Sequence, residues 1–290
     1  MTGDSRIQHD SRVNGPANAP PSSDPRTLSE ICTELRQKVT AFLERSTEDE
    51  LTQRVQGQVR TSIEVIEEAL RRYRLEELSL SYNGGKDCLV LLVLILACLP
   101  KLASSNTAAT LPQSLQAVYI VSSHPFPEVE AFVETSAKNY HLDLTRYALP
   151  MRDALETYLR EKPTVKAIFV GTRRTDPHGE HLTHFDPTDK NWPQFMRIHP
   201  VIDWSYVDIW TVGHPVSLTL QNQSELIGTM QFIRQLHIPY CNLYNEGFTS
   251  LGGMTDTHPN PALARKGDVT SFRPAYELID DDEERLGRDK

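Results

Sequence analysis

Hydrophobic positions near the start of the chain recur at helical spacing. Leu28, Ile31, Leu35, Val39 and Phe42 form one stripe, and Leu51, Val55, Val59, Ile63, Ile66, Leu70 and Tyr73 form a second. Two amphipathic helices are predicted, with plain packing as the simplest role for both stripes. Thr27-Leu-Ser-Glu30 has the form of a capping box and sets the start of the first helix. From Leu75 the rhythm changes. Leu78–Tyr82 reads as a short strand, Asn83–Asp87 as a turn, and Cys88–Leu99 as a buried helix that Pro100 should end. Strands are predicted over Ala117–Ser122, Leu144–Leu149 and Val165–Val170, with helices over Pro127–Tyr140 and Met151–Glu161 between them. This alternation predicts an α/β fold, a mainly parallel twisted sheet with helices on both faces. Such sheets bind ligands beyond the carboxyl ends of their strands. The loops after Tyr82 and Val170 are therefore expected to share one site.

Charge and composition narrow the partners. With 39 acidic and 30 basic side chains the net charge is -9, and a surface of that sign repels a phosphodiester backbone. No nucleic-acid partner is expected, whereas small phosphorylated ligands remain compatible through a local cluster of donors. Cys32, Cys88, Cys98 and Cys241 form no CxxC pair, which suits a reducing compartment and supports neither disulfides nor a cysteine metal site. Residues 1–26 read as a disordered tail rich in Ser, Asp, Pro and Asn, without the apolar core of a secretory signal. Residues 27–74 are the N-terminal helices, which dock on the sheet or serve a partner, and 75–290 form the main domain with a C-terminal extension. The apolar run Cys88–Leu99 is too short to span a bilayer. A cytoplasmic monomer without a membrane partner is the expectation.

The candidate chemistry starts at Ser81-Tyr82-Asn83-Gly84-Gly85-Lys86-Asp87. Adjacent glycines let backbone N–H groups approach an anion, and the following helix adds its positive end. The spacing is not that of the kinase and GTPase loop. It resembles the pyrophosphatase-type SGGxDS loop of enzymes that split ATP between its α and β phosphates, with Asn83 in the first Ser position and Cys88 in the last. A bare Gly-Gly turn is the alternative for this segment alone. More specific is the stretch Gly171-Thr-Arg-Arg-Thr-Asp176-Pro-His, Phe185-Asp-Pro-Thr-Asp189-Lys-Asn-Trp192-Pro, Arg197-Ile198-His-Pro and Asp203-Trp204-Ser-Tyr206-Val-Asp-Ile-Trp210. With Pro239-Tyr-Cys-Asn-Leu-Tyr244, Phe248-Thr-Ser-Leu-Gly252 and Glu284-Arg285-Leu-Gly-Arg288 it resembles the eukaryotic FAD synthetases, in the sulfonucleotide-reductase-like branch of the adenine nucleotide alpha-hydrolase superfamily.

That resemblance covers about Leu75 to Lys290 and implies an FMN adenylyltransferase domain that makes FAD and pyrophosphate from FMN and ATP. It implies ATP contacts from Ser81, Tyr82, Asn83, Gly84, Gly85, Lys86, Asp87, Gly171, Thr172 and Arg173. It implies flavin contacts from Arg174, Asp176, Asp189, Trp192, Arg197, Ile198, Arg285 and Arg288, with Asn83, Asp87, Asp176, Arg285 and Arg288 at the reacting phosphates. The residue types suit the chemistry. Two anionic phosphates must be brought together, which calls for cations and N–H donors. Arg173, Arg174, Arg285 and Arg288 offer planar multidentate contacts, and Asp87 and Asp176 are oxygen donors for Mg²⁺. An ionised phosphate needs no strong general base, so no Ser-His-Asp set is required. Bland roles stand beside these: Asp176 before Pro177 as a loop cap, Trp192 as core rather than a ring-stacking group, Asp203 as the N-cap of a helix, and Asp280–Glu284 as a solvated charge run. His178, His181 and His184 lie in a loop without fixed ligand spacing.

One segment departs from the family pattern. Val212 to Gln231 is 20 residues with a single formally charged side chain, Glu225. Joining Thr211 to Phe232 puts Tyr206, Ile209, Trp210, Ile233 and Leu236 on one helical stripe, and the intervening segment shifts the later half by about 200° at about 100° per residue. Val-Gly and Met-Gln can be encoded with GT and AG borders in frame, so a retained intron is expected rather than a tolerated loop insertion. Other readings of the chain are a sulfonucleotide reductase and a flavin- or nucleotide-binding module without turnover. The first requires a nucleophilic cysteine near the C-terminus, and none follows Cys241.

Overall fold

The computed structural model describes residues 26–105, 111–210, 232–265 and 268–289. The expected tail before residue 26 and the segment 212–231 lie outside them. Two helices open the described chain, α1 (Leu28–Glu44) and α2 (Glu50–Arg72), each starting at a side-chain cap. In α1 the Thr27 side chain accepts from the Glu30 backbone while Glu30 reaches back to Thr27 N, so the capping box forms as expected.

Six strands then build one sheet: β1 (Leu78–Ser81), β2 (Leu115–Ile120), β3 (Leu142–Tyr147), β4 (Ala167–Phe169), β5 (Phe185–Pro187) and β6 (Met196–Ile198), in the order β3-β2-β1-β4-β6-β5. All neighbours are parallel except β5, which runs antiparallel to β6 at the edge. Three helices follow strands: α3 (Lys86–Ser105), α4 (Pro127–Asn139) and α5 (Met151–Glu161). Alternation along the strands assigns the two faces. Leu78, Leu80, Ala117, Tyr119, Ala167 and Phe169 enter the main core with α1, α2 and α3. Val118 and Ile168 point the other way and pack on Ala154 and Tyr158 of α5. The Ser79 hydroxyl on that second face meets the Tyr158 hydroxyl at 2.7 Å. A helix wedged between a sheet and two further helices is apolar all round, and every residue from Cys88 to Leu99 is buried.

α3 corrects the expected stop at Pro100, because it runs on to Ser105 with the proline inside. A proline costs a helix one backbone bond and a clash, but the twelve buried residues before it hold the axis in place, and local propensity yields to packing. The edge strand β5, Phe-Asp-Pro, was not foreseen, since three residues carry no readable alternation.

The N-terminal helices pack into the same core, with α1 against α3. Ser62 of α2 donates to the Pro200 carbonyl at 2.7 Å and accepts from the Trp204 indole at 2.9 Å. Two short helices, α6 (Tyr206–Trp210) and α7 (Phe232–Gln235), flank the undescribed segment. Tyr206, Ile209, Trp210, Ile233 and Leu236 are all buried, and Phe232 meets Trp204 edge-on at 5.5 Å. The cap of α6 is Ser205, whose hydroxyl accepts from Asp208 N while Asp208 accepts from Ser205 N. Asp203, expected as that cap, instead pairs with Arg174 at 2.7 Å. Beyond α7, the chain forms 3-10 turns and a two-stranded ribbon, β7 (Ala264–Arg265) with β8 (Asp268–Phe272). Its last turns, around Glu284, come back over the carboxyl ends of β1 and β4.

Candidate active site

Strand β1 lies between β2 and β4, so the chain leaves its two sides in opposite directions and a crevice opens at its carboxyl end. The loops after β1 and β4 meet there, as the sequence predicts. They line a cleft of about 270 Å³ with Ser81, Asn83, Gly85, Lys86, Asp87, Cys88, Val170, Gly171, Thr172 and Asp176. The late part of the chain completes it with Tyr244, Ser250, Leu251, Glu284, Arg285 and Arg288. A neighbouring cavity of about 550 Å³ is lined by Arg174, Thr175, Asp176, Pro177, His178, Glu180, His181 and Arg285. The two share Asp176 and Arg285.

The glycines have distinct jobs. Gly84 holds φ +74, and a Cβ on it would lie 2.7 Å from Val133 of α4, so its absent side chain serves the turn and packing away from the cleft. Gly171 sits against the first turn of α3, where a Cβ would lie 3.0 Å from Cys88 N. Only glycine lets the β4 loop come this close to the helix end. Within the β1 loop, Asn83 Oδ1 accepts from Gly85 N at 3.0 Å and lies 3.0 Å from the Cys88 thiol. With its oxygen engaged inward, the Asn83 amide has its NH₂ left to donate elsewhere. Lys86 N, another N–H of this turn, donates to the Tyr244 hydroxyl at 2.8 Å.

A buried charge cluster sits beneath the cleft. The Arg173 guanidinium is 1 % exposed and lies 2.8 Å from Asp87 Oδ1 through Nε. Its Nη2 donates to both oxygens of Glu284, at 2.7 and 2.5 Å. Lys86 Nζ donates to Glu284 Oε1 at 2.6 Å and to Asp87 Oδ2 at 3.0 Å. Two cations and two anions therefore neutralise one another. Burial pushes the Asp87 carboxyl up, but Arg173 and Lys86 outweigh it and hold it below the usual carboxylate range. Asp176 moves the other way: burial raises it, the neighbouring Asp87 adds to this, and Arg173 at 3.7 Å only partly offsets them. Asp176 Oδ2 accepts from Arg173 N at 2.8 Å, so it also caps its loop. Arg285 Nη1 lies 3.8 Å from Asp176 Oδ1.

Several expected contact residues take other places. The Arg173 side chain, expected on phosphate, is locked beneath the cleft by Glu284 and Asp87. The Lys86 ammonium is likewise turned into the cluster. Tyr82 is fully buried, its hydroxyl donating to Ser136 Oγ at 2.8 Å. Ile198 is core. Arg174 spends its guanidinium on Asp203 and on the carbonyls of Glu180 and Leu182 while lining the second cavity. Asp189, Trp192 and Arg197 line neither cavity. The first two share an exposed turn closed by Trp192 N to the Asp189 carbonyl at 2.9 Å, and Arg197 Nη2 donates to the Pro187 carbonyl at 3.1 Å. Glu284 overturns the solvated charge run: it is 5 % exposed and paired twice.

Beside Ile198 the chain buries an unforeseen titratable group. His199 is 1 % exposed, and among the described residues neither ring nitrogen has a hydrogen-bond partner. Burial, then Arg197, lowers its imidazole to about 4 from 6.5. The folded ring stays neutral while the unfolded chain takes a proton. Its contribution to stability is therefore whole above pH 6.5 and disappears as pH falls to about 4, roughly 3 kcal/mol in all. In urea titrations at pH 7.5 and pH 5.0, the unaltered chain should lose about 2 kcal/mol more than His199→Leu does. Equal losses would assign the pH dependence elsewhere.

The fold and the site together define an α/β protein with a glycine turn and two adjoining cavities at the carboxyl edge of its sheet. The chain matches the family model of the phosphoadenosine phosphosulfate reductase domain over residues 77–156 and 147–214. It is 39% identical over 234 residues to a probable FAD synthase of Schizosaccharomyces pombe, covering 81% of this chain and 80% of that one. Among solved structures it resembles Candida glabrata FMN adenylyltransferase in complex with FAD and inorganic pyrophosphate, with a TM-score of 0.78, 28% identity, and 93% and 99% of the two chains covered. The same Candida glabrata enzyme in complex with FMN and the ATP analog AMPCPP gives a TM-score of 0.76 at 29% identity, over 91% and 98% of the chains. The chain belongs to the FAD synthase family.

Proposed function

We infer that this chain is an FMN adenylyltransferase, which makes FAD and pyrophosphate from FMN and ATP. The observation that carries the reading is the pair of adjoining cavities that share Asp176 and Arg285. ATP occupies the cleft at the β1 and β4 loops, and FMN enters from the neighbouring cavity. An oxygen of the FMN phosphate attacks the ATP α-phosphorus, a new P–O bond forms, and the bond to the β-phosphate bridge breaks. Pyrophosphate leaves with its electron pair. The attacking phosphate is already ionised, so no side chain has to remove a proton. Arg285 and Arg288 draw the two anions together and stabilise the charge that develops between them. The Asn83 amide donates from the loop side. Asp189, Trp192 and Arg197 belong to the flavin side in this reading, on the exposed turn and edge strands beyond the second cavity.

Mg²⁺ fits the donors present. Among the described residues, Asp87 Oδ1 is buried with an ion pair to Arg173 Nε at 2.8 Å but no hydrogen bond, and Asp176 Oδ1 has only ion-pair contacts at 3.7 and 3.8 Å. Among the described residues no cluster of three or more His, Cys, Asp or Glu could hold a cation. A cation held by Asp87 and Asp176 would complete its shell with substrate oxygens and water, the usual habit of Mg²⁺. When bound it would polarise the phosphates and neutralise the leaving pyrophosphate. The protein works as a cytoplasmic monomer, a reading supported by its acidic charge and by cysteines that are all free and buried. Among the described residues no helix is long and apolar enough to cross a membrane.

The test is incubation with FMN, ATP and Mg²⁺, following FAD by chromatography, with a version lacking Val212–Gln231 alongside. FAD from both chains establishes the activity and makes the segment a tolerated loop. FAD from the shortened chain alone keeps the activity and supports the retained intron. FAD from neither overturns the enzyme and leaves a binding module.

A further inference from the structure

The acidic run Asp280–Glu284 ends in a residue that its surroundings treat differently from the rest. Asp280 and Asp282 are exposed, whereas Glu284 is buried. Its carboxylate takes Arg173 Nη2 on both oxygens and Lys86 Nζ on one. Its backbone is fixed as well: the Thr249 hydroxyl donates to the Glu284 carbonyl at 2.6 Å, and Asn260 Nδ2 donates to the Glu283 carbonyl at 2.7 Å. The next residue is Arg285, which faces both cavities, and four residues on is Arg288, whose guanidinium lies against Gly252 so closely that a Cβ there would sit 2.1 Å from Nη1. Among the described residues neither arginine is anchored by a short ion pair, since their nearest carboxylate contacts are 3.8 Å to Asp176 and 3.4 Å to Asp256.

We propose that Glu284 is a positioning residue for adenylyl transfer: it pegs the C-terminal turn to the glycine loop through Lys86 and to the β4 loop through Arg173, which fixes Arg285 and Arg288 over the phosphate cleft. This rests on the adenylyltransferase reading for its catalytic part, while the peg itself is a statement about the fold. The same bond keeps the Lys86 ammonium inside the cluster. Lys86 acts as the receiver of the peg, and the arginines, not this lysine, meet substrate phosphate.

Two variants of the full chain test it. Glu284→Gln keeps the shape and removes the charge. Thr249→Val keeps every charge and removes the hydroxyl that holds the Glu284 carbonyl and accepts from Asn260 Nδ2 at 2.9 Å, so it reports even where the first variant folds poorly. In steady-state assays with MgATP and FMN, Glu284→Gln should lower kcat roughly 30-fold, as small misplacements of catalytic groups do, with KM for either substrate moving less than about threefold. In an Arg285→Ala background the same change should cost less than about tenfold, because only the part of its effect that runs through Arg288 remains. Thr249→Val should lower kcat about fivefold with the same dependence on Arg285. A second readout needs no activity: limited trypsin cleavage after Arg285 and Arg288 should be at least about tenfold faster in both variants, since losing the peg opens the turn locally. Full, additive kcat losses in the Arg285→Ala background would overturn the positioning role. Unchanged cleavage in both variants would overturn the peg. If the unaltered chain makes no FAD, the adenylyltransferase reading falls by itself, and the cleavage rates still decide the peg.

Discussion

Asp176→Asn should lose about a thousandfold in kcat for FAD formation, with a loss at least about tenfold larger than any change in the dissociation constants for ATP or FMN. Asparagine keeps an oxygen for the Arg173 backbone N–H that Asp176 caps at 2.8 Å, so the loop should persist. What it removes is the negative charge at the one carboxylate that both cavities share. Burial and the nearby Asp87 already raise Asp176 above the usual carboxylate range, while Asp87 is held low by Arg173 and Lys86. A cation held near Asp176 would relieve that repulsion, so its charge should matter most with MgATP bound. Steady-state rates beside flavin fluorescence titrations separate the two quantities. A kcat within tenfold of the unaltered chain would remove Asp176 from the reacting centre.

Arg173→Met should cost about 3–5 kcal/mol of folding stability, the range for breaking a buried ion pair from one side. The methionine fills much of the volume but leaves Glu284 with Lys86 alone and Asp87 without its guanidinium partner. Lysine at this position should not restore it, because a single ammonium cannot serve Asp87 through one edge and both Glu284 oxygens through another. Combining Arg173→Met with Glu284→Gln removes one charge of each sign and should recover about half of the loss. Urea midpoints of the three variants at pH 7.5 give the comparison. A shift below about 1 kcal/mol for Arg173→Met would mean that the cluster is held by the surrounding packing.

Much of this architecture is legible in the sequence. The strands were visible because buried parallel strands are short apolar runs bounded by turn residues, and Met151–Glu161 matched its helix end to end. The shared site followed from strand polarity alone, since β1 and β4 both end where the unusual residues begin. What escaped was long-range pairing. Five consecutive acids look like a surface from within the run, and nothing local marks Glu284, whose partners lie 111 and 198 residues away along the chain. Arg173 and Arg174 are chemically alike in sequence, yet one is interred and the other half-exposed. The burial of Tyr82 and Ile198 reflects side-chain direction on a strand or at its end, which a motif cannot convey because it marks neighbours that alternate between faces. The cap of α6 was misplaced by two residues, an ordinary slip where Asp203 and Ser205 offer equivalent oxygens.

The late position of Glu284, Arg285 and Arg288 gives the molecule a chronology. Every strand of the central sheet, and the glycine loop with it, leaves the ribosome before these three residues are made. A nascent chain can therefore build its sheet and its Gly84 turn while Arg173 and Lys86 still lack the carboxylate that gathers them. Such an intermediate leaves the cluster beneath the cleft without one of its carboxylates, with Asp87 and Asp176 still beside the two cations. Messages cut short in this region would yield chains whose buried Arg173 and Lys86 lack Glu284, and such chains should be less stable as well as inactive.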